Sequence, residues 1–277
     1  MGGIGAASIV VLIIGLVAGI ILTLAAHFLA VPVDERVSQV REALPGANCG
    51  ACGFAGCDEY AQKLVEEGVA TNLCPPGGAD TAAKIAALLG VSAENVVPTM
   101  AVVHCNGSCE NTTYRVDYQG PKSCKACNAL FQGRGSCSYS CLGYGDCVQV
   151  CQYGAIYIQD GVAVIDPDLC VGCNMCVTEC PKSIISIVPK SSQVFVRCSS
   201  QDKGAVARKL CATACIACKL CVRKCEADAI TVENNLARID PEKCTNCGAC
   251  VEACKTNSIF SWVPVSVPVE GEADLEA

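Results

Sequence analysis

Charge is missing from the start of this chain: no Asp, Glu, Lys or Arg occurs among residues 1–33. From Ile4 to Ala30 only Ser8, Thr23 and His27 interrupt the apolar run. A helix of about 20 such residues crosses a bilayer, so a transmembrane anchor is predicted here. The basic n-region of a secretory signal is absent too, and the run exceeds the usual apolar core of roughly 7 to 15 residues, which argues against a cleaved leader. Gly3-x-Gly5-x-x-Ser8 has no strand ahead of it and lies in the anchor, so it is no nucleotide loop. No segment has the pattern of a nicotinamide or flavin site. Basic residues are the minority, 20 Lys and Arg against 27 Asp and Glu, which argues against a nucleic-acid partner.

Histidine is nearly absent as well, with two in 277 residues, whereas cysteine occurs 26 times. Such a count fits disulfides, zinc or iron–sulfur clusters, and spacing decides among them. Cys170-x2-Cys173-x2-Cys176-x3-Cys180-Pro181 returns 74 residues later as Cys244-x2-Cys247-x2-Cys250-x3-Cys254. Disulfide scaffolds do not space thiols this way, and a zinc ribbon uses isolated pairs that leave the third cysteine without a role. The runs match the ligand spacing of bacterial ferredoxins, in which three thiolates hold one cubane and the fourth serves its neighbour. Thiolate sites of this kind need a reducing compartment. The bulk of the chain is therefore expected on the cytoplasmic side of a cell membrane.

A short amphipathic helix is expected over Val33 to Leu44, followed by a Gly-rich segment from Gly46 to Cys57. Cys49, Cys52, Cys57 and Cys74 form a C-x2-C-x4-C-x16-C set, and glycines there let backbone N–H groups approach the sulfurs. Helices are expected over Asp58 to Glu67, stopped by Gly68, and over Asp80 to Leu89, ended by Gly90. The later chain is an internal duplication at an offset of 74: Cys147 falls on Cys221, Cys151 on Cys225, Cys141 on Cys215, Cys137 on Cys211 and Cys124 on Cys198. Short strands are expected at Ala155 to Ile158, Val162 to Ile165, Ala229 to Val232 and Ala237 to Ile239.

The ferredoxin rule then assigns Cys215, Cys218, Cys221 and Cys254 to one centre, and Cys225, Cys244, Cys247 and Cys250 to its neighbour. In the first unit Cys151, Cys170, Cys173 and Cys176 make the equivalent of the latter. Tyr144 stands where the second unit has Cys218, so Cys141, Cys147 and Cys180 lack a fourth thiolate. A three-iron cluster, a four-iron cluster completed by Cys137 or Cys127, and a non-thiolate ligand are all open. A further cluster is expected from Cys105, Cys109, Cys124 and either Cys127 or Cys137. Cys198 and Cys211 stay unassigned. The tally is six [4Fe-4S] clusters, five without the last set, with one of them a [3Fe-4S] cluster if Tyr144 leaves its site short.

Net charge is −7 before any metal is counted. Against it stands a basic stretch of Lys182, Lys190, Arg197, Lys203, Arg208, Lys209, Lys219, Arg223 and Lys224, with Asp202 the only acid nearby before Glu226. One reading is compensation of the clusters' own negative charge; the other is a docking face for an acidic redox protein, centred on Lys203, Arg208 and Lys209. The acidic end, Glu270 to Glu276, reads as a solubilising tail.

The expected architecture is a small metal-stabilised α+β protein. Its parts are an anchor (1–33), a Gly-rich 4Fe-4S domain (34–95), a cysteine-rich connector (96–136), a first two-cluster ferredoxin domain (137–190), a basic linker (191–214), a second ferredoxin domain (215–260) and an acidic tail (261–277). An uncharged amino-terminal helix, then Pro45-Gly-Ala-Asn-Cys-Gly-Ala-Cys-Gly-Phe-Ala-Gly-Cys57 and Cys74-Pro75, then ferredoxin pairs, resembles the B subunits of Rnf-type ion-translocating ferredoxin:NAD oxidoreductases. The resemblance covers residues 1 to 258 and implies an electron relay without a catalytic site of its own. It implies soluble reduced ferredoxin as donor, other membrane and peripheral subunits as partners, and NAD reduction on another subunit while sodium ions or protons cross the membrane.

Overall fold

The computed structural model describes residues 2–28 and 34–262, with the side chains of 2–8 and 26–28 left aside. The acidic tail expected at Glu270 to Glu276 lies outside the described residues. Helix α1 runs Gly2–Phe28. Its Ile, Val and Leu side chains between Ile9 and Leu24 are 47 to 70 % exposed. Among the described residues no helix is long and apolar enough to cross a membrane, and the side chains described for α1 cover residues 9–25 alone. The expected anchor therefore coincides with a helix, but its membrane role is not a structural finding.

Three helices form the next unit: α2 (Glu35–Ala43), α3 (Cys57–Glu66) and α4 (Gly78–Leu89). Asp34 caps α2 by accepting the Arg36 N–H, and Gly90, at φ 70°, ends α4 in the left-handed region. Val40, Leu44, Tyr60, Ala61, Leu64 and Ile85 close the core between them. Burying the Val, Leu and Ile side chains among them is worth about 1.5–3 kcal/mol each. The Tyr60 hydroxyl donates to the Ala70 carbonyl at 2.8 Å and accepts the Leu73 N–H at 3.3 Å, so this core fixes the loop that delivers Cys74.

The remaining chain holds two copies of one design. Strands β1 (Thr99–Val103), β2 (Ile156–Gln159), β3 (Val162–Ile165) and β4 (Ile185–Pro189) make the first; β5 (Val194–Val196), β6 (Ile230–Glu233), β7 (Leu236–Ile239) and β8 (Ile259–Ser261) make the second. In each, the two central strands form a hairpin and the outer two pair antiparallel, Ala101 opposite Ile187 and Phe195 opposite Phe260. The hairpin turns are Asp160-Gly161 and Asn234-Asn235, all four with positive φ, as a tight two-residue connection requires. Strand β1 lies in the stretch read as a connector, and β5 in the stretch read as a basic linker. Each ferredoxin-like unit thus starts earlier than its cysteine runs suggest, and the intervening residues are insertions between its first strand and its metal loops. Short helices follow the loops: α5 (Cys124–Ala129), α6 (Asp146–Gln149), α7 (Met175–Glu179), α8 (Gly204–Leu210), α9 (Leu220–Lys224) and α10 (Ala249–Ala253).

Candidate metal centres

All four cysteine runs of the duplicated part adopt one backbone shape. The residues on either side of the second ligand position have positive φ: Gly172 and Asn174, Asn246 and Gly248, Ala217 and Lys219. Gly143 (φ 72°) and Gly145 (φ 82°) do the same around Tyr144. Alternating left-handed residues turn successive N–H groups to one side, making a concavity suited to an anion. With Tyr144 at the second position, this loop keeps the form of the other three.

In the amino-terminal unit, Asn48, Gly50 and Gly53 have positive φ, and Asn48 Oδ1 accepts the Cys57 N–H at 2.9 Å. Burial foremost, and then the charges of Cys57, Cys49 and Cys52, push the Cys74 thiol up to about 11. The four thiols predicted as one set are thus mutual neighbours. Burial, with Cys49, Cys151 and Cys170 adjacent, also raises the Cys173 thiol, so this set lies beside the next.

Cys151, Cys170, Cys173 and Cys176 line one cavity with Ala155 and Ile156. The Ala101 N–H of β1 donates to Cys170 Sγ at 3.3 Å. A second cavity is lined by Cys141, Cys147 and Cys180 together with Cys124, Leu142 and Ile184. Burial, then Cys141, Cys124 and Cys180, push the Cys147 thiol up to about 12. Cys124 is brought here by α5, whose first turn is held by one carboxylate: Asp146 accepts the Cys124 N–H at 2.8 Å, the Lys125 N–H at 3.0 Å and the Ser123 hydroxyl at 2.8 Å. Burial alone would raise the Asp146 carboxyl, and these donors outweigh it and hold it below the usual range.

In the second unit, burial and the neighbours Cys215, Cys218 and Cys254 raise the Cys221 thiol. The Cys254 thiol is lowered, because hydrogen bonds from Ser258 and Thr256 outweigh its burial. Burial, with Cys244, Cys221 and Cys247 alongside, pushes Cys250 up to about 12. The Ala229 N–H donates to Cys225 Sγ at 3.4 Å. Cys218 and Cys247 are exposed.

The structure groups two of the expected sets differently. Cys124, rather than Cys137 or Cys127, lines the cavity of Cys141, Cys147 and Cys180; the Tyr144 ring lies under the Arg134 guanidinium, 4.6 Å from the centroid, and beside Tyr118. Cys127 is buried in that aromatic cluster. The set of Cys105, Cys109, Cys124 and Cys127 or Cys137 does not assemble either. Cys109 is exposed, with Sγ 3.5 Å from the Tyr114 hydroxyl. Cys105 and Cys137 instead face Cys198 and Cys211, the pair without an assignment. The sequence held a signal for this pair, since Cys198 and Cys211 are the repeats of Cys124 and Cys137.

The donor sets fit cubane clusters. N–H groups aimed at sulfur, as at Cys170 and Cys225, stabilise the negative charge that a thiolate bound to an iron–sulfur cluster carries. The basic stretch divides between its two readings. Lys182 lines the Cys124 cavity and Arg197 the Cys105 cavity. Lys203, Arg208 and Lys209 are exposed and form no ion pair among the described residues.

Comparison with known proteins finds iron–sulfur domains over parts of this chain. A family model described as a putative Fe-S cluster matches residues 44–76, and one described as a 4Fe-4S binding domain matches residues 163–186 and 237–260. The chain is 48% identical, over 89% of its length and 74% of the relative's, to the B subunit of the Na(+)-translocating ferredoxin:NAD(+) oxidoreductase complex of Acetobacterium woodii. It is 42% identical to the proton-translocating counterpart of Clostridium ljungdahlii, over 92% of this chain and 91% of that one. It is also 40% identical to the B subunit of the ion-translocating oxidoreductase complex of Methanosarcina acetivorans, over 89% and 94%. With its iron–sulfur domains built for electron transfer, the chain belongs to the family of B subunits of the ion-translocating ferredoxin:NAD(+) oxidoreductase, or Rnf-type, complexes.

Proposed function

We propose that this chain accepts electrons from soluble reduced ferredoxin at its second ferredoxin unit and delivers them, at its Cys49 to Cys74 end, to membrane subunits of the complex. When bound, each iron–sulfur cluster supplies one-electron chemistry. The observation that carries the reading is the succession of sulfur sets. Cys218 and Cys247 are exposed at one end, Cys221 adjoins Cys250 there, Cys147 adjoins Cys176 in the first unit, and Cys173 adjoins Cys49 at the other end. The last of these sets sits on the unit that follows α1.

Helix α1 acts in this reading as a single-pass anchor in the cell membrane, with the cysteine-rich units on the cytoplasmic side. Its support is a 27-residue helix without a charged residue and with outward apolar side chains. Cys124 completes the Tyr144 site with Cys141, Cys147 and Cys180. NAD is reduced on another subunit, coupled to the passage of Na+ or H+. The donor meets the exposed Lys203, Arg208 and Lys209, because complementary charge accelerates encounter more than it tightens binding. Stopped-flow mixing of the full chain with reduced ferredoxin tests this. Changing all three to Glu should slow reduction about tenfold or more at low salt, with the difference shrinking at high salt; an unchanged rate would remove the docking assignment.

A further inference from the structure

Cys105 follows β1, Cys137 lies in the first insertion, Cys198 follows β5 and Cys211 ends α8, so no short motif links them. The fold nevertheless draws them around one cavity, as it draws Cys151, Cys170, Cys173 and Cys176 around another. Gly107 marks the closeness: a Cβ there would stand 3.5 Å from Cys105 Sγ and 3.8 Å from Cys211 Sγ. Burial raises all of the Cys105, Cys137 and Cys198 thiols, with Cys137 a neighbour of Cys105, Cys198 and Cys211 in turn.

The surrounding backbone is tightly knit. The Ser199 hydroxyl donates to the His104 carbonyl at 2.8 Å, the Thr112 hydroxyl to the Leu210 carbonyl at 2.8 Å and the Thr213 hydroxyl to the Asn106 carbonyl at 3.0 Å. Thr112 and Cys211 form an antiparallel bridge. N–H groups point at the sulfurs as they do at Cys170 and Cys225: Gly107 N–H to Cys105 Sγ at 3.4 Å, Cys141 N–H to Cys105 Sγ at 3.4 Å and Cys215 N–H to Cys198 Sγ at 3.3 Å. Arg197 lines the cavity and offers positive charge to it.

We propose that Cys105, Cys137, Cys198 and Cys211 hold a further [4Fe-4S] cluster, one that joins the two ferredoxin units. Its position follows from two of the hydrogen bonds just given. Cys141 belongs to the last sulfur set of the first unit and donates to Cys105; Cys215 belongs to the first set of the second unit and donates to Cys198. Without this site the two units share no sulfur set among the described residues. With it, 24 of the 26 cysteines fall into six sets of four, and Cys109 and Cys127 remain outside.

The inference rests on the iron–sulfur reading, and iron and acid-labile sulfide counts with EPR on the full chain, purified without oxygen, separate the two. The expected load is about 24 irons per chain, four for each of six cubanes. Cys137→Ala and Cys198→Ala should each lose about four irons and one EPR-active centre while the other signals persist. Should either variant misfold, Cys109→Ala/Cys127→Ala decides, since it removes the two thiols outside the six sets and should keep the full load. A wild-type load of about 20 irons that Cys198→Ala leaves unchanged overturns the proposal, as does loss of four irons from the Cys109/Cys127 variant or one zinc bound at this site. Absence of labile sulfide from the wild type would instead overturn the iron–sulfur reading itself.

Discussion

Tyr144 stands at a ligand position of a loop that keeps the form of the other runs. Gly143 and Gly145 hold the left-handed turn, while the phenol packs with Arg134, Tyr118 and Cys127, and in the proposed assignment the fourth thiol comes from Cys124 of α5, which lines the same cavity. Cys124→Ala should therefore leave three thiolates, converting one four-iron centre to a three-iron one or emptying it, visible as a new EPR signal or a loss of about four irons. Adding Tyr144→Cys to that variant should restore a four-iron centre; failure of the rescue would show that Cys124 does more than supply a sulfur. This assignment could not be read from spacing. Cys124 stands 17 positions before Cys141, outside the run, and its spacing to Cys105, Cys109 and Cys127 pointed to a different set.

At the scale of the element, each cage depends on how its first turn is held. The six-residue helix α5 has little helical stability of its own, because so short a segment hardly repays nucleation. Asp146 substitutes for that stability with three accepted hydrogen bonds at a buried carboxylate. Asp146→Ala should cost about 2–3 kcal/mol locally and accelerate iron loss to a chelator from one centre, with Asp146→Asn intermediate; equal loss rates in the three proteins would sink this account. The hairpins β2–β3 and β6–β7 were legible in sequence because apolar strands flank a two-residue turn. Strands β1, β4, β5 and β8 were not, since their partners are distant in the chain and no short turn joins them. Cysteine spacing also drew attention to the metal loops and away from the strand that opens each unit ahead of them.

Across the whole molecule, the sequence and structure agree best where ligands lie close together. The Cys49 to Cys74 set and the two ferredoxin runs are local patterns, and their positions follow from backbone turns. The Cys105 site is assembled from two insertions and two strand ends, so it exists only once both units are in place. Removing residues 1–30 tests the other end of the molecule: the shortened chain should keep its full iron content and leave the membrane fraction on cell lysis, whereas continued membrane association would assign that role to another surface. Ribosomes synthesise Cys105 well before Cys211, and β5 well before β8. Loading with metal must accordingly proceed in steps. The Cys49 to Cys74 pocket can be filled while the chain is still being made; the site between the two halves must wait for translation of the second, which leaves Cys105 and Cys137 as vulnerable thiols on every unfinished chain.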